Sequence, residues 1–481
     1  MRSNRVTQFR PLARNLAVRA DRDYASALLV MQWLCAMALL VPAFRNARVV
    51  IRSLAFGASL ALLVLIPSRR RRRHPAAWLA VAAILILVLS LFHPTTNSLL
   101  SAAAQVAMYI AVLAPLFWVP RLDIDERMLR RAMHLIWLFS ITSAAVGLLQ
   151  VYFPGTFEPP VSTVLAKQPT YLAGLKIQLA SGERVYRPMG LTDIPGGAAG
   201  AGMTAVLFGT WIMLSSQKGV LKALAICGVV VGMVCLFLCQ VRVLLVMTAI
   251  SFLILAGVLA RRGQVARLSG VATLLGLLVA GSFFWAMVIA PDATLQRLRT
   301  LTEDNFTSVY YKNRGHFLEH TFTTLLPMYP FGIGPGRWGM MFAYFGDASN
   351  TENGLVHAEI MWTGWLLDGG VPLMAAYAIA LIVALIVSLR TATNRRDRGG
   401  LWVEAAVLTG YNVGSIAVTF SYSLFVSQAG LEFWLFNALL YSASRRAAQS
   451  MAVGLIKRPG AVVRPRSANT RAARSGSPVG P

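Results

Sequence analysis

The feature that most constrains this chain is a succession of apolar runs, each roughly 20 residues long, joined by short polar or basic connectors. They lie near Tyr24 to Pro42, Val49 to Ile66, Ala76 to Phe92, Leu99 to Val119, Met133 to Phe153, Ala198 to Leu214, Leu221 to Cys239, Val243 to Ala260, Ser269 to Ile289, Pro372 to Leu389, Leu401 to Phe420 and Ala429 to Ala443. Each reaches or approaches the length a helix needs to cross about 30 Å of hydrocarbon. Only 13% of the residues are charged, against about 25% in soluble domains, so the solvent implied is lipid. The pattern predicts an all-α polytopic membrane protein of about 12 transmembrane helices, with a basic N-terminal segment at 1–23, a membrane domain at 24–444 and a disordered basic tail at 445–481.

The net charge of +26 sits in short runs between the apolar blocks, where it orients a membrane protein, and this placement excludes nucleic acid as the partner. With the N-terminus in the cytoplasm, Arg69 to His74, Arg121 to Arg131, Ala260 to Arg267, Arg390 to Gly399 and the tail all fall on the cytoplasmic face. An even number of crossings puts both termini there. Arg45 and Arg48 are the exceptions on the outer face, and they are expected to snorkel. No cleavable signal is visible, so the first helix is expected to serve as the anchor. Cys35, Cys227, Cys235 and Cys239 lie within apolar runs and read as small buried hydrophobes.

Two long segments, 154–197 and 291–371, are left for the outer face; polar connectors of that length are usually functional. In the first, Arg184 and Arg187 precede a glycine-rich entry into a span, where backbone donors at a helix start receive anions. Between two spans, Arg242 sits in a hairpin too tight to need a charge for orientation, and costly membrane charges tend to be functional. The second segment has a helical rhythm from Lys312 to Leu326, carrying Arg314, His316, Glu319 and His320, and then a turn forced by Pro327, Pro330 and Pro335 with Gly332, Gly334 and Gly336. His357 and Glu359 follow, on an apolar run that reaches Asp368 and enters the next span.

Two other patterns compete. HFLEH, His316 to His320, matches a zinc-protease spacing but lacks a third ligand. Asp123 to Asp125 looks like a metal-binding carboxylate pair, yet its basic neighbours and position before a span fit helix capping.

Taken in order, RPMG at Arg187 to Gly190, QVR at Gln240 to Arg242, NRGHFLEH followed by PFGIGPG, and VHAEIMWTGWLLDGG resemble the signature of the O-antigen ligase and polymerase family of bacterial envelope proteins. The resemblance covers roughly residues 187–389. It departs at Ala358, where the family commonly has Asn, and at Val241, where Ser is usual. The resemblance implies a glycosyltransferase in the bacterial cytoplasmic membrane, active at its outer face and needing neither metal nor other cofactor. Its donor would be an undecaprenyl-diphosphate-linked oligosaccharide and its acceptor a hydroxyl of a glycan or lipid-linked sugar, with membrane lipids and a chain-length regulator as further partners.

In that setting Arg242 and Arg314 are expected to bind the diphosphate, Arg187 to support them, and His357 to act as base, because a guanidinium fork matches phosphate oxygens and imidazole titrates near neutrality. Glu359 or Asp368 is expected to orient the imidazole or bind the acceptor. Polymerase is favoured over ligase. The alternative class is a transporter or lipid-linked glycan flippase, which predicts polar groups near the bilayer midplane and duplicated halves.

Overall fold

The computed structural model describes residues 23–456 except 45, 69–72, 154, 159–163, 165–171, 173, 179–183, 193, 240, 290–294, 296–310 and 395–399. Helices occupy every apolar run: α1 Tyr24–Ala38, α2 Arg48–Leu65, α3 Ala77–Ser90, α4 Leu99–Leu113, α5 Glu126–Tyr152, α6 Ala198–Ser215, α7 Gly219–Leu238, α8 Arg242–Arg261, α9 Val265–Ile289, α10 Met361–Thr393, α11 Trp402–Val418 and α12 Gln428–Ile456. Seven of these are long and apolar enough to cross a membrane; α4 makes an eighth if it is joined to the segment Pro115–Arg121 across a 40° bend. α1 and α3 are apolar but shorter. α11 and α12 carry Glu404, Asn412, Glu432 and Asn437, all buried, which dilutes their apolar character. Large side chains such as Val64, Trp78, Leu89, Phe92 and Phe284 point outward, as lipid-facing surfaces require.

α6 and α7 pack with their backbones nearly touching. A Cβ on Gly202 would lie 2.7 Å from the Gly232 carbonyl oxygen, and the reverse holds for Gly232, so only these small residues permit the crossing. Polar side chains join the later helices: Asn412 and Asn437 exchange amide hydrogen bonds of 2.8 and 2.9 Å, and Asn412 also donates to Ser388 Oγ at 3.1 Å. In the segment between α5 and α6 a short antiparallel pair, β1 Lys176–Gln178 and β2 Arg184–Tyr186, aligns Ile177 with Val185. This ribbon is the one departure from helix among the described elements.

Several expectations are corrected here. The tail is helical past Ser444 as far as Ile456, because alanine, arginine, glutamine and methionine there are good helix formers. Arg48 does not snorkel: it is 3% exposed, turned into the bundle; Arg45 lies outside the described residues. Cys227 is exposed on the outside of α7, whereas Cys235 and Cys239 are buried with their sulfurs 3.6 Å apart. As its place before a span predicts, Asp125 caps α5 by accepting the Met128 amide hydrogen at 2.8 Å.

His74 shows how the start of α3 is fastened. Its Nδ1 accepts the Ala76 amide hydrogen at 3.1 Å at the start of α3, and its ring stands edge-on to Tyr441, 5.1 Å between centroids. Burial pushes its pKa from 6.5 down to about 4. The folded chain therefore keeps this ring neutral while the unfolded chain protonates first. The stabilisation is complete above pH 6.5 and is lost as pH falls toward about 4, amounting to about 3 kcal/mol at most. His74→Asn, which keeps a capping acceptor, is expected to flatten the acid side of a plot of thermal midpoint against pH in detergent. An identical acid slope in the variant would contradict this.

Candidate functional site

The turn carrying Arg187 is held from below. Gln150, one turn from the end of α5 and fully buried, accepts the amide hydrogens of Met189 and Gly190 at 2.9 Å each and donates to the carbonyls of Gly190 and Phe157 at 3.0 Å. Ser143 Oγ accepts the Leu191 amide hydrogen at 3.1 Å, and Arg52 donates to the Leu191 carbonyl at 2.9 Å. Gly190 has φ +62°, and a Cβ there would meet the Ser143 carbonyl oxygen at 2.7 Å, so the last residue of RPMG has to be glycine. The Arg187 amide donates to the Leu175 carbonyl at 2.8 Å, next to the ribbon. Its guanidinium lies beside Gly196 and Val241, against the α7–α8 hairpin. Its Nε is buried without a hydrogen-bond partner, and burial lowers its pKa below the usual arginine range.

Arg314 comes from the segment between α9 and α10. Residues 311–328 form one helix of alternating π and α turns: Tyr311–Gly315, His316–His320, Thr321–Leu325 and Leu326–Met328. The expected helix from Lys312 to Leu326 is therefore present, with the added π turns that often mark functional sites. Thr321 Oγ1 donates to the Phe317 carbonyl at 2.7 Å and lies 2.6 Å from Thr363 Oγ1, which fastens this helix to the start of α10. Arg314 is thereby brought to Glu359, and the two form an ion pair through Nη1 and Oε2. Burial, and after it the nearby charge of Arg187, push the pKa of Arg314 down. Two arginines more than a hundred residues apart in sequence thus share one electrostatic neighbourhood.

Glu359 faces His357 with its second oxygen: Oε1 is 3.2 Å from His357 Nε2. The His357 side chain is 62% exposed and its ring lies 5.7 Å from Phe317, over which the Arg314 guanidinium also sits at 5.9 Å. The segment bearing both residues is fixed by partners that carried no motif. Arg337 donates through Nε and Nη2 to the Gly354 carbonyl at 3.2 Å and through Nη1 to the Thr95 carbonyl at 3.1 Å. Asn97 accepts the Asp347 amide hydrogen at 2.7 Å and receives Asn350 Nδ2 on its carbonyl at 3.2 Å.

Asp368 is placed differently from its sequence neighbour. It is 0% exposed and accepts hydrogen bonds from Trp338 Nε1 at 2.9 Å, Tyr109 OH at 2.8 Å and Gln105 Nε2 at 3.1 Å. These donors leave it facing the bundle interior, so of the two acidic residues only Glu359 reaches the imidazole. Directly after it α10 breaks at Gly369 and Gly370. The glycine-rich turn fills that break, with Ile333 donating to the Leu367 carbonyl and Val371 to the Pro330 carbonyl, both at 2.8 Å.

Arg242 begins α8, next in the chain to Val241, which packs against Gly196 as Arg187 does; its side chain lies outside what the structure describes. His316 and His320 are exposed, and Glu319 pairs with the Tyr311 hydroxyl. Among the described residues no three His, Cys, Asp or Glu side chains come together as a metal site would require.

Gln150, Arg337 and Asn97 are the site-building residues that the motifs passed over. For Gln150 a signal existed: a lone amide near the end of an apolar span is costly unless engaged. A search of family models and of curated proteins finds no match to this chain.

Proposed function

We propose that this chain is a bacterial membrane glycosyltransferase that moves or polymerises glycan units from an undecaprenyl-diphosphate carrier onto a sugar hydroxyl, outside the cytoplasmic membrane. In this reading the helices make twelve crossings, both termini are cytoplasmic, and 154–197 with 291–371 forms the outer face. The observation that carries it is one connected set: Arg314 paired with Glu359, and Glu359 in contact with His357, with the charge of Arg187 close enough to lower the pKa of Arg314. Arg187, whose buried Nε has no hydrogen-bond partner, and Arg314, paired with one carboxylate, call for a further anion. A diphosphate supplies it.

The reaction asks little else of the protein. The acceptor hydroxyl gives its proton to His357 as its oxygen bonds to the anomeric carbon, and the bond from that carbon to the diphosphate oxygen breaks. With Nε2 turned to Glu359, Nδ1 of the neutral ring is the basic nitrogen, and the carboxylate stabilises the imidazolium that forms. The arginines take up the negative charge growing on the departing diphosphate. Polymerisation is favoured over ligation, the acceptor then being another lipid-linked glycan.

The rival carrier reading draws on polar groups inside the bundle. Asn412, Asn437 and Ser388 are spent on one another, which suits helix association better than a pathway. The two readings part on where the intermediate accumulates. A strain lacking this protein is expected to hold its lipid-linked saccharide on the outer leaflet, accessible to a membrane-impermeant glycosidase. Saccharide protected inside the cell would replace transfer with transport.

A further inference from the structure

Guanidinium groups near a membrane attract any phosphate that can reach them, including the headgroups of anionic phospholipids, which greatly outnumber any saccharide carrier. A site built for a diphosphate therefore needs a means of refusing a phosphodiester. Glu359 stands where such a device would act. Its Oε2 is on Arg314, its Oε1 is 3.2 Å from His357, and the Arg314 and Glu359 side chains keep 35% and 32% exposure. An ion pair so placed is weak enough to exchange, since half-exposed pairs contribute little net stability.

We propose that Glu359 is a specificity-determining residue: its carboxylate occupies Arg314 as an internal anion, excludes singly charged phosphodiesters, and yields only to a diphosphate that engages Arg187 and Arg314 together. This deepens the diphosphate reading above and rests on it. An internal competitor multiplies the apparent Kd of every anion by one common factor. A weak ligand then fails to compete until its own occupancy exceeds that of the carboxylate, while a strong bidentate ligand still binds. When displaced, Glu359 keeps its second oxygen for His357, so donor binding leaves the carboxylate free to support the base.

The test uses the full-length protein in nanodiscs of phosphatidylcholine alone or with phosphatidylglycerol, and inorganic diphosphate as the probe in calorimetry. In phosphatidylcholine, Glu359→Gln is expected to bind diphosphate at least about fivefold more tightly than the parent protein. On adding phosphatidylglycerol, the parent's affinity is expected to stay within about twofold, while Glu359→Gln weakens at least about fivefold. Glu359→Ser, which also lacks the charge, is expected to follow Glu359→Gln and guards against a folding artefact in either variant.

If neither variant binds diphosphate more tightly than the parent, or if parent and variants respond alike to phosphatidylglycerol, the internal-anion role is overturned. Arg187→Ala and Arg314→Ala separate the two levels of inference. Parent binding that depends on both arginines, with no gain in the Glu359 variants, removes only the exchange. Absence of diphosphate binding to the parent and to the Glu359 variants removes both.

Discussion

His357→Ala is expected to slow glycan transfer by about 10²–10⁴-fold while changing donor affinity by no more than about twofold. The reason is the division of labour in the site. The imidazole is exposed at 62% and touches Glu359, whereas Arg314 lies on the far side of that carboxylate. Loss of the ring removes a proton acceptor from the transition state and leaves the guanidinium groups where they were. Arg314→Ala is the converse case, weakening donor affinity as well as rate, because its charge acts on ground and transition states alike. Transfer measured with a purified lipid-linked donor, alongside donor binding, separates the two. A His357→Ala enzyme of near-normal rate, or one that fails only by losing donor, would remove the histidine from its role as base.

Gly370→Ala is expected to destabilise the folded protein by about 3–5 kcal/mol. Gly370 has φ +69° and ψ −163°, a region open essentially to glycine alone. A Cβ there would also lie 2.3 Å from the Pro330 carbonyl oxygen and 2.4 Å from Phe331 Cα, both backbone atoms that cannot step aside. Strain and overlap therefore add at one position, and relief requires the glycine-rich turn to leave the break in α10. Gly57→Ala supplies the control: it lies in α2 with nothing within 4 Å of the added carbon, and is expected to be neutral or slightly stabilising. Thermal midpoints in detergent would decide, and a Gly370→Ala protein melting with the parent would refute the docking.

The site was partly readable beforehand, and the boundary is physical. Arg187, Arg314, His357 and Glu359 stood out because charge and imidazole at the edge of apolar runs are costly and so conspicuous. Glu359 and Asp368 looked equivalent in the sequence, since both follow His357 on one apolar stretch. Only packing separated them, turning Asp368 inward to Trp338, Tyr109 and Gln105. Arg48 was misread for a similar cause: exposure near a helix end is set by neighbouring helices, and those place it inside.

By itself the sequence determined where the helices fall, though the ends at Glu126, Met361 and Ile456 lie well beyond the apolar runs, because helix length and apolar runs are local properties that lipid enforces residue by residue. The helix from Lys312 to Leu326 and the proline- and glycine-forced turn after it belong to the same class, being set by periodicity and by allowed backbone angles. The tertiary structure alone decided that the charge of Arg187 reaches Arg314, that Gln150 clamps the turn beneath one, and that Glu359 joins the other to His357. Those contacts link residues far apart in the chain, and their energies arise only once folding has brought the partners within reach and taken water away from them.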